Sequence, residues 1–291
     1  MKITNKQNIP IPIYRSIQAG WYDGNNATHY CSATQLLKPA KIFVLEKRHK
    51  DEIEEDASDL IWSLMGSAMH KVLEKSETGN TLNEERLFAE VDGKIISGGI
   101  DLYEDEVISD FKFTSVWSYI YGSRIREWEE QLNIYAYLYR KAGFNVKKLQ
   151  IVAIFRDWSK IKSEIEHNYP KQVESVNIKL WSLERAEQFI TARLRLFQYA
   201  EQIADDVIPA CSNEQRWQEP DKYAVKKMGN KRASKLCDSQ KQAQLMIDHQ
   251  KDSSKYVIEL RKSVPKRCIS YCKVNKFCNF YKRIMQAELA S

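Results

Sequence analysis

The spacing of apolar residues changes period several times along the chain, and each change marks an element. Across residues 60–75 apolar side chains return every three or four positions, which predicts a helix, and a further helical stretch precedes it from Leu45. Ser32-Ala-Thr-Gln35 has the form of a capping box and predicts a short helix that Pro39 ends. Three runs rich in Ile, Val and Phe follow at 86–91, 95–103 and 107–114. They read as strands, the first two joined through Asp92-Gly93, a strong hairpin signal. Residues 124–141 predict an amphipathic helix stopped by Gly143, 149–155 a strand and 180–203 a long helix. The remainder reads as short helices and loops. Residues 1 to about 30 read as an irregular lead, with Pro10, Pro12 and the turn signal Asp23-Gly24-Asn25-Asn26.

The second and third strands carry the most informative pattern. Asp105-Glu106 is the natural tip of a tight hairpin, although it lacks the glycine such turns favour. A two-residue turn there pairs residues whose numbers sum to 211, so Asp101 falls opposite Asp110. Strand periodicity puts Lys112 on the face of Asp110. Like charges opposed across a ladder are destabilising, a repulsion that a bound cation relieves. An Asp-x-Lys triplet alone most often marks a solvated strand face, so the weight rests on its surroundings.

Composition narrows the setting. The 291 residues are 43% hydrophobic and 29% charged, the balance of a globular chain with a sizeable core. No apolar run approaches a membrane span and the first residues lack the apolar core of a signal peptide, so a cytoplasmic protein is expected. A net charge of +6 is mild, but its distribution is uneven. Residues 261–283 hold eight Lys or Arg and no acid, interleaved with Tyr271, Phe277, Phe280 and Tyr281; a second basic patch covers 222–235. Basic residues with aromatics between them suit a nucleic acid whose bases can stack. Neither an internal repeat nor a flexible linker is evident. The division expected is a lead and helix at 1–55, a core at 56–165 and a helical C-terminal region at 166–291.

Helix, three-strand meander, helix, strand resembles the core of the PD-(D/E)XK nuclease superfamily, specifically its RecB-like exonuclease branch. Gly66-Ser-Ala-Met-His70 is similar to the glycine-x-x-x-histidine of that branch's first core helix. Gly99-Ile-Asp101 and Asp110-Phe-Lys112 are similar to its acidic motifs, and Gln131-Leu-Asn-Ile-Tyr135 to its Q-x-x-x-Y helix. The resemblance implies an α/β, restriction-endonuclease-like core with a central mixed sheet flanked by helices. It implies a Mg²⁺- or Mn²⁺-dependent DNA exonuclease acting on single strands or ends, in recombination, repair or phage DNA metabolism. Partners would then be DNA and recombination proteins, and a phage-encoded chain would work in the host cytoplasm.

The chemistry agrees with that assignment. Asp101 and Asp110 are hard oxygen ligands, and His70 can add an imidazole nitrogen. The backbone carbonyl of Phe111 is the further ligand that the resemblance implies. Lys112 would orient the attacking hydroxide or offset charge at phosphorus. Gly66, one turn before His70, would let the helix approach the sheet. Gln131 and Tyr135, one turn apart, would reach toward the lysine and the DNA backbone, or simply pack with Trp128 and Leu138. Glu85 is a weaker candidate acid. A non-catalytic DNA-binding module is the alternative, though a degenerate site would be expected to have lost one of these residues.

Six cysteines are too few for a disulfide scaffold. Cys268, Cys272 and Cys278 supply three thiolates within eleven residues, and a fourth ligand is needed. Cys31 and Cys211 each precede a capping-box sequence, Ser32-Ala-Thr-Gln35 and Ser212-Asn-Glu-Gln215. The run from Cys211 to Trp217 and the tail from Arg267 to Cys278 are similar to phage-type relatives, which favours Cys211. CRISPR-associated relatives carry a lone early cysteine, which favours Cys31. The resemblance implies a [4Fe–4S] cluster stapling the C-terminal segment, with zinc as the alternative and Cys237 a structural thiol.

Overall fold

The computed structural model describes residues 1–20, 29–73, 75 and 86–289. The turn expected at 23–26 and Glu85 lie outside them. The chain divides into two units, Met1–Ile203 and Ala204–Ser291.

The first unit opens on strand β1 (Lys2–Thr4) and helix α1 (Ile11–Ala19), where an irregular lead was expected. The prolines that suggested irregularity sit at the entrance of the helix, Pro10 as its N-cap and Pro12 in its first turn. No intrahelical N–H is needed there, so proline starts a helix as readily as it stops one. Next come β2 (Cys31–Ser32), α2 (Ala33–Leu36) and α3 (Ala40–Arg48). The capping box forms as its sequence implies: Gln35 N–H donates to Ser32 Oγ and Ser32 N–H donates to Gln35 Oε1. β3 (Glu54–Asp56) pairs in parallel with β1.

Helix α4 (Ile61–Leu73) leads through β4 (Arg86–Val91) into β5 (Lys94–Gly99), β6 (Leu102–Glu104) and β7 (Val107–Thr114). The expected strand 95–103 is thus two strands in two sheets. β5 lies between β2 and β4, whereas β6 edges the sheet β6-β7. The break falls at Ile100-Asp101, after paired glycines and just where the Asp101 side chain takes the Phe111 N–H. The hairpin register is the one its turn dictates, with Leu102, Tyr103 and Glu104 opposite Ser109, Ile108 and Val107. Asp105 and Glu106 both adopt positive φ, 48° and 65°, as a type I′ turn requires. Tertiary contacts supply what glycine would have given. Glu106 is engaged by the Asn145 and Lys147 side chains, and its carbonyl accepts from Lys147 N–H.

Short α5 (Val116–Ile120) precedes α6 (Ile125–Lys141), whose side chains are buried almost all round from Trp128 to Tyr139. Such a helix is interior rather than amphipathic; it packs on strands of both sheets, β4 and β5 as well as β8 and β9. β8 (Lys148–Phe155), α7 (Lys160–Ile165), β9 (Val173–Ile178) and α8 (Leu183–Glu201) complete the unit. The four-stranded sheet runs β6-β7-β8-β9, with β7 and β8 parallel and the outer pairs antiparallel. The fold is therefore mixed α/β, a central mixed sheet flanked by helices. On the outer side Phe43 of α3 stacks on Phe197 of α8 with centroids 4.1 Å apart.

The second unit is not the purely helical region expected. β10 (Lys222–Lys227), β11 (Lys235–Cys237), α9 (Gln240–Asp248) and β12 (Tyr256–Arg261) form a three-stranded antiparallel sheet under one helix. Its core is Val225, Cys237, Ala243 and Ile247. Lysines at both ends of β10 disguise the strand: Lys222 and Lys226 pair with Asp238 and Glu259 instead of interrupting it. α10 (Lys266–Ser270) and α11 (Asn279–Leu289) follow. No helix among the described residues is long and apolar enough to cross a membrane.

Candidate active site

The hairpin and α4 bring together His70 and Asp101, which are distant in the sequence. His70 Nδ1 lies 3.1 Å from Asp101 Oδ1, while Asp101 Oδ2 accepts a 2.6 Å hydrogen bond from Phe111 N–H. In a strand a residue's N–H and C=O point the same way, so the Phe111 carbonyl faces the Asp101 side of β7. Asp110 is 3% exposed in the floor of this site. Lys112 Nζ stands 2.5 Å from Asp110 Oδ2, an ion pair made at a buried oxygen. Burial raises the Asp110 carboxyl; Lys112 opposes this and the Asp101 charge adds to it. His70 is raised in turn, foremost by its hydrogen bond to Asp101.

Gln131 and Tyr135 lie behind the carboxylates and are buried at 7% and 6% exposure. Gln131 Nε2 donates to Tyr135 Oη at 2.9 Å. The Tyr135 phenol is raised, first by burial and next by the Asp110 charge. The pair packs in the interior, one of the two roles weighed from sequence, and the Asp110 and Asp101 charges both act on the Tyr135 phenol.

The glycine of closest approach is not Gly66. Among the described residues a Cβ at Gly66 meets nothing within 4 Å, so α4 does not need that glycine to reach the sheet. At Gly98 of β5 a Cβ would stand 2.7 Å from Leu138 Cδ1 and 2.8 Å from Tyr135 Cδ1. It is α6 that uses the missing side chain, and Tyr135 occupies the space. Arg86 is a further residue that sequence reasoning passed over. It heads β4, donates to Ser97 Oγ at 3.0 Å and contributes positive potential at Tyr135. A lone arginine at a strand start carries no signal in sequence.

The donor chemistry at the hairpin suits a cation: the carboxylates of Asp101 and Asp110, the His70 imidazole and the Phe111 carbonyl. Among the described residues no three His, Cys, Asp or Glu side chains are already drawn together as a single-ion site.

In the second unit Cys211, Cys272 and Cys278 each lie near enough to Cys268 for their charges to act on it, although among the described residues no three thiols are gathered as a metal site. Burial raises the Cys268 thiol to about 11, with charges on Cys272, Cys211 and Cys278 adding to it. None of the six cysteines forms a disulfide. Arg216 lies over the Phe280 ring at 4.0 Å and Arg267 over Trp217 at 5.4 Å, and the Arg216 charge partly offsets the rise of the Cys268 thiol. Cys31 belongs to the other unit, fully buried beside Ile96 of β5, its thiol pushed up to about 12 by burial foremost. Cys237 is buried in the sheet core, as its structural reading implies.

No family model and no curated relative matches the chain. Among solved structures, the protein SSO0001 is similar with a TM-score of 0.44 and 17% identity, over 65% of this chain and 88% of its own. A structure provisionally described as an exonuclease from Eubacterium rectale gives 0.44 and 12%, over 63% and 85%. A phage related exonuclease from Haemophilus somnus 129PT gives 0.38 and 15%, over 62% and 99%.

Proposed function

We propose that this chain is a Mg²⁺- or Mn²⁺-dependent deoxyribonuclease of the RecB-like PD-(D/E)XK type, acting as an exonuclease on single strands or DNA ends. The observation that carries the reading is His70 paired with Asp101 beside the buried Asp110–Lys112 ion pair, with the charges of both aspartates acting on His70. Burial raises the Asp110 carboxyl in spite of Lys112, a desolvation cost that a bound divalent cation would offset. His70, Asp101, Asp110 and the Phe111 carbonyl would hold it. Bound there, the metal would polarise the phosphate and lower the pKa of a water.

The protein's own groups do the rest. Lys112 holds a positive charge beside the reacting centre, where it offsets charge on a phosphate oxygen and orients the attacking water. Gln131 fixes the Tyr135 hydroxyl, and Tyr135 closes the floor behind the carboxylates. Cys211, Cys268, Cys272 and Cys278 are the proposed ligands of a [4Fe–4S] cluster within the second unit, with zinc the alternative occupant. Work on DNA ends in recombination, repair or phage DNA metabolism, in a cytoplasmic setting, follows from the same reading.

End-labelled single- and double-stranded DNA incubated with Mn²⁺ tests the activity. Asp110→Asn and Lys112→Ala should each lower cleavage by at least about a hundredfold while the fold persists. Unaltered cleavage by either variant would remove the site assignment. Binding without cleavage by the unaltered protein would favour a non-catalytic DNA-binding module.

A further inference from the structure

Aromatic side chains are left in solvent along one line that leads to the hairpin. Helix α4 buries no residue fully, although it is among the most apolar helices of the chain. Trp62 is 56% exposed at its start, and the Arg156 guanidinium lies over its ring at 4.2 Å. Arg156 follows β8 directly and donates its N–H to the carbonyl of Thr114, the last residue of β7. Beyond Thr114, Trp117 of α5 and Tyr121, which caps that helix, stack at 5.9 Å with rings 20° from parallel. Both rings are exposed, and Lys162 Nζ sits 4.8 Å from the Trp117 ring. The neighbouring Asp157 does not cancel these cations freely, because its carboxylate is engaged as a cap by Ser115 Oγ and Val116 N–H.

Two rulers place this rim relative to the metal-binding residues. His70 is level with Asp101 and Phe111, and Trp62 is level with Arg156 and Thr114, so α4 runs antiparallel to β7. Eight helical residues from Trp62 to His70 span about 12 Å. Four strand residues from Asp110 to Thr114 span about 13 Å. The agreement sets the aromatic rim a few nucleotides from the reacting centre. Trp62, Gly66 and His70 recur every four residues on one face. Gly66, where a Cβ meets nothing within 4 Å among the described residues, leaves the helix surface open between the other two.

We propose that this line is a track for single-stranded DNA: bases stack on Trp62 and on the Trp117–Tyr121 pair, Arg156 and Lys162 meet the phosphates, and the strand crosses α4 at Gly66 to reach Asp110. Exposed rings with cations at their faces are the chemistry that holds unpaired bases without regard to sequence, and a duplex, whose bases are already stacked, gains little from them. The proposal rests on the nuclease reading for what lies at the end of the track, but binding can be measured without cleavage.

Fluorescence anisotropy of a labelled oligothymidylate, with Asp110→Asn as the parent protein, tests it. Trp62→Ala and Trp117→Ala should each weaken oligothymidylate binding by about five- to a hundredfold. Trp117→Phe should restore most of the loss, and affinity for a blunt hairpin duplex should change little. Gly66→Leu should weaken binding by about tenfold while its melting temperature stays level or rises, since the added side chain enters open space and favours the helix. Oligothymidylate affinities within about twofold of the parent, in variants that melt like it, would overturn the track. So would equal losses for duplex and single strand. Degradation of DNA by the unaltered protein with Mn²⁺ is judged separately. If it occurs while the tryptophan variants bind normally, the nuclease stands and the track falls; if it is absent while they lose binding, the reverse holds.

Discussion

Asp110 illustrates how a single residue can be costly to the fold and useful to the site. Its carboxylate is buried, feels the Asp101 charge and is raised in spite of the Lys112 ammonium beside it. Asp110→Asn should therefore leave the melting temperature unchanged or higher without divalent ions. Mn²⁺ should raise the melting temperature of the parent protein and leave that of Asp110→Asn unaffected, which scanning calorimetry with and without chelator would read. Asp56 behaves oppositely. It accepts hydrogen bonds from Lys6 N–H, Ser58 N–H, Ser58 Oγ and Thr4 Oγ1, and the Lys6 bond foremost holds its carboxyl down at about 2. A group depressed in the folded state stabilises above its unfolded value of 3.8, and that contribution disappears as pH falls toward 2. Asp56→Asn should melt lower than the parent near neutral pH and level with it at about pH 2, most visibly as faster amide exchange in β1. A variant equally destabilised at both pH values would show that the carboxylate charge is not what matters.

At the scale of elements the two glycines near the site exchange the roles that sequence suggested. Gly66 carries the motif spacing, yet its Cβ position is open among the described residues; Gly98 carries no motif, yet α6 presses on it. Gly98→Ala should cost about 1–3 kcal/mol in urea unfolding and lower DNA cleavage by displacing Tyr135. Gly66→Ala should gain up to about 1 kcal/mol from helix propensity alone. Loss at Gly66 with none at Gly98 would reverse the packing argument. The hairpin register was readable beforehand because a two-residue turn and period-two alternation leave only one solution. The break at Ile100-Asp101 was not, because it depends on Asp101 satisfying a backbone N–H of the next strand. β9, β10 and β12 escaped notice for a related reason. Their charged positions look like loop, and only partners such as Glu259 for Lys226 make them tolerable in a ladder.

For the molecule as a whole, the two units keep distinct chemistry: the carboxylates lie in one and Cys211, Cys268, Cys272 and Cys278 in the other. Anaerobically purified protein is expected to be brown with about four irons. Cys211→Ser should lose that iron. Cys31→Ser should keep it but melt lower by about 1–3 kcal/mol of stability, because a hydroxyl would replace a thiol in an apolar core. Iron lost with Cys31→Ser and kept with Cys211→Ser would reverse the assignment, and stoichiometric zinc without iron would replace the cluster. The sequence by itself determined where most helices and strands of the first unit lie, the hairpin register, and the identity of the candidate donors. Those follow from periodicity and turn chemistry, which act over a few residues. Tertiary structure alone decided that His70 meets Asp101, that Asp110 is buried against Lys112, that Cys211 lies near Cys268, and that Trp62 lies level with the end of β7. Such meetings depend on how whole faces pack, a free energy summed over many distant contacts that no local pattern encodes.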